Sequence, residues 1–239
     1  MMRVVTIVQA RMGSSRFPGK VMRPLGGQPV LERVLQRVRQ SHLHGEMVVA
    51  TSYLEQDDPI TEWCQQARIA CFRGSERDVL ERYYQCALLY RADVIVRVTA
   101  DSPLLDPEIL DAVIATQLQG EADYVCCRDL PAGIGQETFT FAALECAFES
   151  ATRPQDREHV ITYFTEHPAL FRLCLLDPPA GLHLPDWRIT LDTEQDYRLF
   201  CRLFALTDGE VMQMRTSEIV ALIRQYADLL SIAQRRQVA

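Results

Sequence analysis

The chain has 239 residues, with 25 Lys+Arg against 32 Asp+Glu and a formal net charge of −7. That length buries a full core, and 48% hydrophobic with 24% charged residues is ordinary globular composition, which excludes a disordered chain. An acidic balance argues against general nucleic-acid or anionic-membrane binding, which needs a net basic face, and no apolar run approaches the ~20 residues that span a bilayer.

The start, MMRVVTIVQARMG, is too short in its apolar part for a secretory leader and lacks a small-residue cleavage site. It reads as a strand. The eight cysteines form no C-x-x-C pair and sit mostly in apolar stretches. Free, buried thiols in a reducing cytoplasm are therefore expected in place of a zinc site or a disulfide scaffold.

In chain order, Val4 to Ala10 is a short apolar, β-branched strand. Helical spacing follows over Pro29 to Arg39, then a strand over Glu46 to Thr51. Asp58-Pro59 predicts a helix start with Asp as cap. Asp78 to Tyr90 reads as a helix, Asp93 to Thr99 as a strand, Asp106-Pro107-Glu108 as a second Asp-Pro helix start, and Ala122 to Cys127 as a strand. Helices over Phe141 to Ser150 and Asp156 to His167 come next, then strands over Phe171 to Leu176 and Trp187 to Leu191. Two helices, Glu194 to Ala205 and Ser217 to Ser231, end the chain. This rhythm predicts an α/β fold with a mainly parallel sheet covered by helices on both faces. One domain over residues 1–239 is expected, with residues 128–186 an elaboration over the sheet edge.

The loop after the first strand holds Ala10, Arg11, Gly13, Ser14, Ser15, Arg16, Gly19 and Lys20, and the first acidic residue of the chain is Glu32. In open parallel sheets the C-terminal strand ends are where ligands bind. A positive loop there, with glycines, backbone amides and hydroxyls, suits phosphate oxygens. Lys20 is the only lysine in the chain, which points to a need for a compact point charge. A P-loop fails on spacing, because five residues separate Gly13 from Gly19, and Val21 stands where the pattern needs a hydroxyl.

Two acids lack an evident structural duty. Asp101 follows the Asp93 to Thr99 strand, while Asp106 is better placed as the cap. Asp192 precedes Thr193, which with Asp196 makes a capping-box-like start. Facing a polycationic loop, the pair suits a Mg2+-triphosphate site.

The loop A-R-x-G-S-x-R-x-P-x-K stands intact from Ala10 to Lys20. With it occur Ala50-Thr51, Arg73-Gly74-Ser75, Asp78-Val79-Leu80, Arg82-Tyr83, Arg97 to Pro103, Arg157-Glu158-His159-Val160 and Leu191-Asp192-Thr193. In this set the sequence resembles the cytidylyltransferase-like spore coat polysaccharide biosynthesis protein F family, related to the synthetases that make CMP-sugars. The resemblance implies a Rossmann-like nucleotide-diphospho-sugar transferase fold and a Mg2+-dependent reaction of CTP with a sugar, an acidic one by preference, giving a CMP-sugar and pyrophosphate. It implies that Arg11 and Lys20 bind the triphosphate and that Ala10, Gly13, Ser14 and Arg16 complete the loop. Ala50, Thr51, Gly74 and Ser75 would line the base and ribose pocket, and Arg82 would also bind the nucleotide. Asp101 and Asp192 would hold Mg2+, so that Lys20, Arg11 and Asp101 carry the chemistry. Asp101 matches the carboxylate of the ketodeoxyoctonate-type enzymes, which argues against sialic acid.

Arg157, Glu158 and His159 lie near a helix start and are candidates for the sugar site, against the alternative of a solvated helix face. Glu137 closes a Gly133 to Glu137 segment that resembles a sugar-side loop. A homodimer is what the resemblance suggests, with Trp187, Leu203 and Phe204 either interface or core. Two rivals stay open: a glycosyltransferase using a nucleotide-sugar donor, though the Asp-x-Asp motif is missing at Asp101-Ser102-Pro103, and a nucleotide-binding module without turnover.

Overall fold

The computed structural model describes residues 2–234; the outer ends of the expected 1–239 domain lie outside the described residues. Its strands are β1 (Val4–Gln9), β2 (Pro24–Leu25), β3 (Gln28–Pro29), β4 (Glu46–Ser52), β5 (Ala70–Gly74), β6 (Val94–Thr99), β7 (Tyr124–Cys127), β8 (Glu137–Thr140) and β9 (Leu173–Leu176). β2 and β3 pair only with each other, and the other seven form one sheet in the order β5-β4-β1-β6-β8-β7-β9. β1 runs parallel to β4 and β6, and β4 runs parallel to β5. β8 is antiparallel to both neighbours, and β7–β9 is parallel again. The mainly parallel sheet is as the alternation of elements implies.

Alternation of side chains along β1 and β6 sends apolar residues to both faces. On one face, Val5, Ile7, Ile95 and Phe139 pack against α3 (Val79–Leu89), α5 (Phe141–Ser150) and α7 (Thr162–Glu166), with Tyr83, Leu144 and Phe164 fully buried. On the other, Val8, Val49, Val96 and Val98 meet α1 (Val30–Val38), α2 (Asp58–Ala67) and α4 (Pro107–Leu118). A third cluster lies beyond the strand ends. There α8 (Glu194–Leu206), α9 (Thr216–Gln225) and α10 (Ala227–Ala233) enclose Phe17, Ile134, Trp187, Ile189 and Leu191. Trp187, Leu203 and Phe204 all belong to this core.

Several elements differ from the sequence reading. β5 and β8 carry no clear sequence signal. The expected Trp187 to Leu191 strand is not one: its backbone is shared among Leu184, Ala132, Ala233 and Asp101, and among the described residues it forms the isolated bridge Ala132–Arg188. The expected Asp156 to His167 helix is two short helices, α6 (Pro154–Glu158) and α7, broken at residues 159–161. The last helix breaks at Tyr226, between α9 and α10. At α2 the cap position is Asp57, not Asp58, and Asp57 makes no side-chain cap hydrogen bond, because its carboxylate accepts from Met12 N and Ser52 Oγ instead. All eight cysteines are free; Cys64 and Cys86 are buried, but Cys146 is exposed. Among the described residues no helix is long and apolar enough to cross a membrane.

Candidate active site

The loop after β1 folds back on itself before it reaches α1. Ser14 and Gly19 both donate their N–H to Met12 O at 2.9 Å. Gly19 sits at φ +70, left-handed backbone that a side chain disfavours, and this turn starts the short 3-10 segment Lys20–Met22. The loop is anchored from below by Asp57, fully buried, whose Oδ1 accepts from Met12 N at 2.7 Å while Oδ2 accepts from Ser52 Oγ.

The result is a largely buried Lys20 (8% exposed) with its ammonium between two carboxylates. Lys20 Nζ donates to Asp101 Oδ2 and to Asp192 Oδ1, each at 2.8 Å. The two acids are brought together by backbone: Leu191 N donates to Asp101 O at 2.8 Å, and Asp196 Oδ2 accepts from Asp192 N at 2.9 Å. Asp196 also completes the capping box of α8 with Thr193, so one side chain starts the helix and fixes the loop before it. Asp192 meets two more cations, Arg16 at 3.1 Å and Arg188. Burial opposes its charge, but Lys20, Arg16 and Arg188 outweigh burial and hold its carboxyl below the usual range.

These groups border a cavity of about 280 Å³ at the C-terminal ends of β1 and β6. Its floor is Gln9, Arg97 and Thr99, which share the α3 face of the sheet. Val79 and Arg82 of α3 form one wall, and Glu158 and His159 at the α6–α7 break form another. Arg11 Nη2 stands 3.8 Å from Glu158 across the mouth. Arg82 is 2% exposed, donates to Ser75 O at 2.8 Å, and leaves Nε buried with no partner among the described residues. Burial chiefly, with the like charge of Arg11, pulls its guanidinium below the ordinary arginine range. Arg97 is paired with Glu137 at 2.9 Å, and its Nε too is buried with no partner among the described residues. Five cationic side chains (Arg11, Arg16, Lys20, Arg82, Arg97) thus line the cavity against three carboxylates, Asp101, Glu158 and Asp192.

Of the residues singled out in the sequence, the cavity gathers Ala10, Arg11, Ser14, Arg16, Lys20, Arg82, Asp101, Glu158, His159 and Asp192. Others support it from behind. Ala50 is buried and its C=O accepts from Ala10 N at 3.1 Å. Thr51 is fully buried, and its Oγ1 has no hydrogen-bond partner among the described residues. Gly74 makes room for Arg82, since a Cβ there would lie 2.8 Å from Arg82 Cγ, and Ser75 holds that arginine. Gly13 faces Gln56 and Glu76 and does not border the cavity. Arg157 is a strut: it donates to Asp78 Oδ2 and to Phe148 O, each at 2.7 Å, and lies over the Phe148 ring. It borders the adjoining groove, not the cavity itself. Glu137 sits behind Arg97 on β8. Gln9, Arg97, Thr99 and Arg188 were not singled out as site residues from sequence. The available signal for Arg97 was an arginine inside the apolar run DVIVRVT.

The model of a family described as cytidylyltransferase matches residues 5–232. Spore coat polysaccharide biosynthesis protein SpsF of Bacillus subtilis (strain 168) is 36% identical over 230 residues, 94% of this chain and 95% of that protein. The structure of a cytidylyltransferase from Leptospira borgpetersenii serovar Hardjo-bovis superposes with a TM-score of 0.88 at 30% identity over 100% of both chains. In fold alone, the likeness extends to a CMP:2-keto-3-deoxy-manno-octonic acid synthetase solved with CTP, with a TM-score of 0.65 and 14% identity over 86% of this chain and 99% of that one. With its site at the strand ends and this match over nearly its whole length, the chain belongs to the cytidylyltransferase family.

Proposed function

We propose that this protein transfers a cytidylyl group from CTP to a hydroxyl of a sugar, an acidic sugar by preference, releasing pyrophosphate, and that its product feeds surface polysaccharide synthesis. The observation that carries this reading is the excess of cations around Lys20 in an otherwise acidic chain. Buried charges need partners, and an unbalanced positive cluster in a cavity is suited to a polyphosphate.

In this reading Lys20, Arg11 and Arg16 hold the triphosphate, with Ser14 and the loop amides, while Arg82 and the Ala50-Thr51 and Gly74-Ser75 segments shape the nucleoside side. The sugar lies toward Arg97, Glu137, Glu158 and His159. The hydroxyl oxygen forms a bond to the α-phosphorus in line as the bond to the pyrophosphate oxygen breaks. Lys20 and Arg11 stabilise the charge that develops on the phosphate oxygens, and the loop fixes their direction in advance.

Asp101 and Asp192 would hold a divalent cation, Mg2+ in this reading. The residues fit: two carboxylate oxygens converge on one point, where an ammonium already stands 2.8 Å from each. Two carboxylates, with water and phosphate oxygens in the other positions, is a common Mg2+ arrangement. Once bound, the ion supplies positive charge to the phosphate oxygens. The free thiols accord with the proposed cytoplasmic location, and a homodimer is the proposed assembly.

The test is pyrophosphate release from CTP, UTP, ATP and GTP over a panel of sugar acids that includes 3-deoxy-manno-octulosonate. Release that needs both CTP and a sugar acid supports the reading. Nucleotide binding with no release over the whole panel would favour a non-catalytic nucleotide module.

A further inference from the structure

Lys20 does two things that conflict. Its ammonium is placed to meet a polyphosphate, yet it is spent on Asp101 Oδ2 and Asp192 Oδ1 at 2.8 Å each. These are the same two oxygens that would hold the divalent cation. An ammonium and a divalent ion cannot share that point, because like charges a few ångströms apart repel strongly where little water screens them. Only 11% of the Lys20 side chain and 13% of the Asp192 side chain are exposed, so screening there is weak.

The remaining contacts hold the lysine in place. Gly19 and the 3-10 turn set its backbone. Asp192 is also held by Arg16 and Arg188, and its backbone by Asp196. Asp101 pairs with Lys20 through the same oxygen that faces Asp192 across the ammonium. The ammonium is therefore a built-in counter-ion for the carboxylate pair. What releases it is a second anion within reach, and the adjoining cavity, lined by Arg11, Arg16 and Arg82, is where the phosphates of a nucleotide would lie.

We propose that Lys20 is a resident plug of the carboxylate pair, which keeps divalent metal out until the phosphates of a nucleotide draw the ammonium away. The consequence is a coupling between two ligands. Metal alone binds poorly, nucleotide raises the affinity for metal, and by linkage metal raises the affinity for nucleotide by the same factor. Neutralising Lys20 removes the plug, so the carboxylate pair then accepts metal with no nucleotide present. This rests on the function proposed above, but its decisive comparison is made without nucleotide.

The experiment is titration of the nucleotide-free protein with Mn2+, free ion being read by electron paramagnetic resonance. The comparison is wild type against Lys20→Met, with Arg11→Met as a control that removes a cavity charge paired with Glu158 and not with the carboxylate pair. Lys20→Met is expected to bind Mn2+ on the order of tenfold tighter than wild type, and Arg11→Met to change affinity much less. Equal Mn2+ affinity in wild type and Lys20→Met overturns the proposal, as does the absence of binding by Lys20→Met.

A second measurement needs no variant. Because Lys20 is the only lysine, protein grown on lysine labelled at the ε-carbon gives one side-chain resonance. That signal is expected to stay put with Mg2+ alone and to shift with CTP plus Mg2+. A shift of the same size with Mg2+ alone also overturns the proposal. Failure of CTP to bind wild type at all would instead remove the cytidylyltransferase reading, while the Mn2+ comparison would still stand or fall by itself.

Discussion

Two charged clusters face the same cavity and are built differently. Around Asp192, three cations (Lys20, Arg16 and Arg188) converge on one carboxylate, and Asp101 shares the lysine. Around Arg97, one guanidinium meets one carboxylate, Glu137, on the neighbouring strand. The first cluster is unbalanced and sits on loops at the strand ends. The second is balanced and sits on strands within the sheet. Unbalanced charge on loops is what a site for a charged ligand needs, whereas a balanced pair on rigid strands chiefly holds its surroundings in place. Under the proposed function, the Asp192 side would receive phosphates, and the Arg97 side would carry the hydroxylated part of the acceptor.

The sharpest way to break the comparison is to remove the loop charge. Lys20→Ala is expected to keep the fold and to lose about 10²–10³ in rate, the usual cost of one transition-state contact; single-turnover pyrophosphate release reads it. Wild-type turnover would show that the two clusters do not divide the work as described. The opposite pattern is expected at the balanced pair. Arg97→Met leaves the half-buried Glu137 without its partner and should cost about 1–3 kcal/mol of stability in urea unfolding. Glu137→Gln, which keeps an acceptor for the guanidinium, should cost less.

A smaller effect sharpens the nucleotide side. Gly74→Ala places a methyl against Arg82 Cγ and is expected to weaken CTP binding several-fold while costing about 1–2 kcal/mol of stability. Unchanged CTP affinity would mean that Arg82 does not touch the nucleotide.

The smallest effect is on acid stability. The Asp192 carboxyl is held below its ordinary range, so its ionised form stabilises the native state above the unfolded value of about 3.9. That stabilisation is lost as the pH falls through the lower folded value. Asp192→Asn should therefore flatten the fall of melting temperature below about pH 4, and an unaltered slope would contradict the cation count at this residue.

The loop side was legible in the sequence because its signals are local. Glycine, hydroxyls and five basic residues before the first acid stand within about two dozen positions, and the duty-free Asp101 and Asp192 are revealed by the better helix starts beside them. The Arg97 side was not legible. Its arginine is enclosed in an apolar strand, and its partner is 40 residues away on β8, a four-residue strand of sequence ETFT too short and polar to register as one. β5 failed for a related reason: it is an edge strand, mostly half-buried, with no clean alternation. The Trp187 to Leu191 run has a strand's apolar composition but spends its hydrogen bonds on four separate partners, Leu184, Ala132, Ala233 and Asp101, which no local pattern reveals. His159 reaches the cavity only because the helix breaks there, while Arg157, two residues earlier, is tied to Asp78.

The most direct test of the central claim is calorimetric titration of the wild-type protein with CTP and with UTP, each in the presence of Mg2+. The account predicts that CTP binds with an affinity that falls as salt rises, because the loop cations meet phosphates, and that UTP binds much more weakly. Binding of neither nucleotide, or of both equally and without dependence on salt, would contradict it.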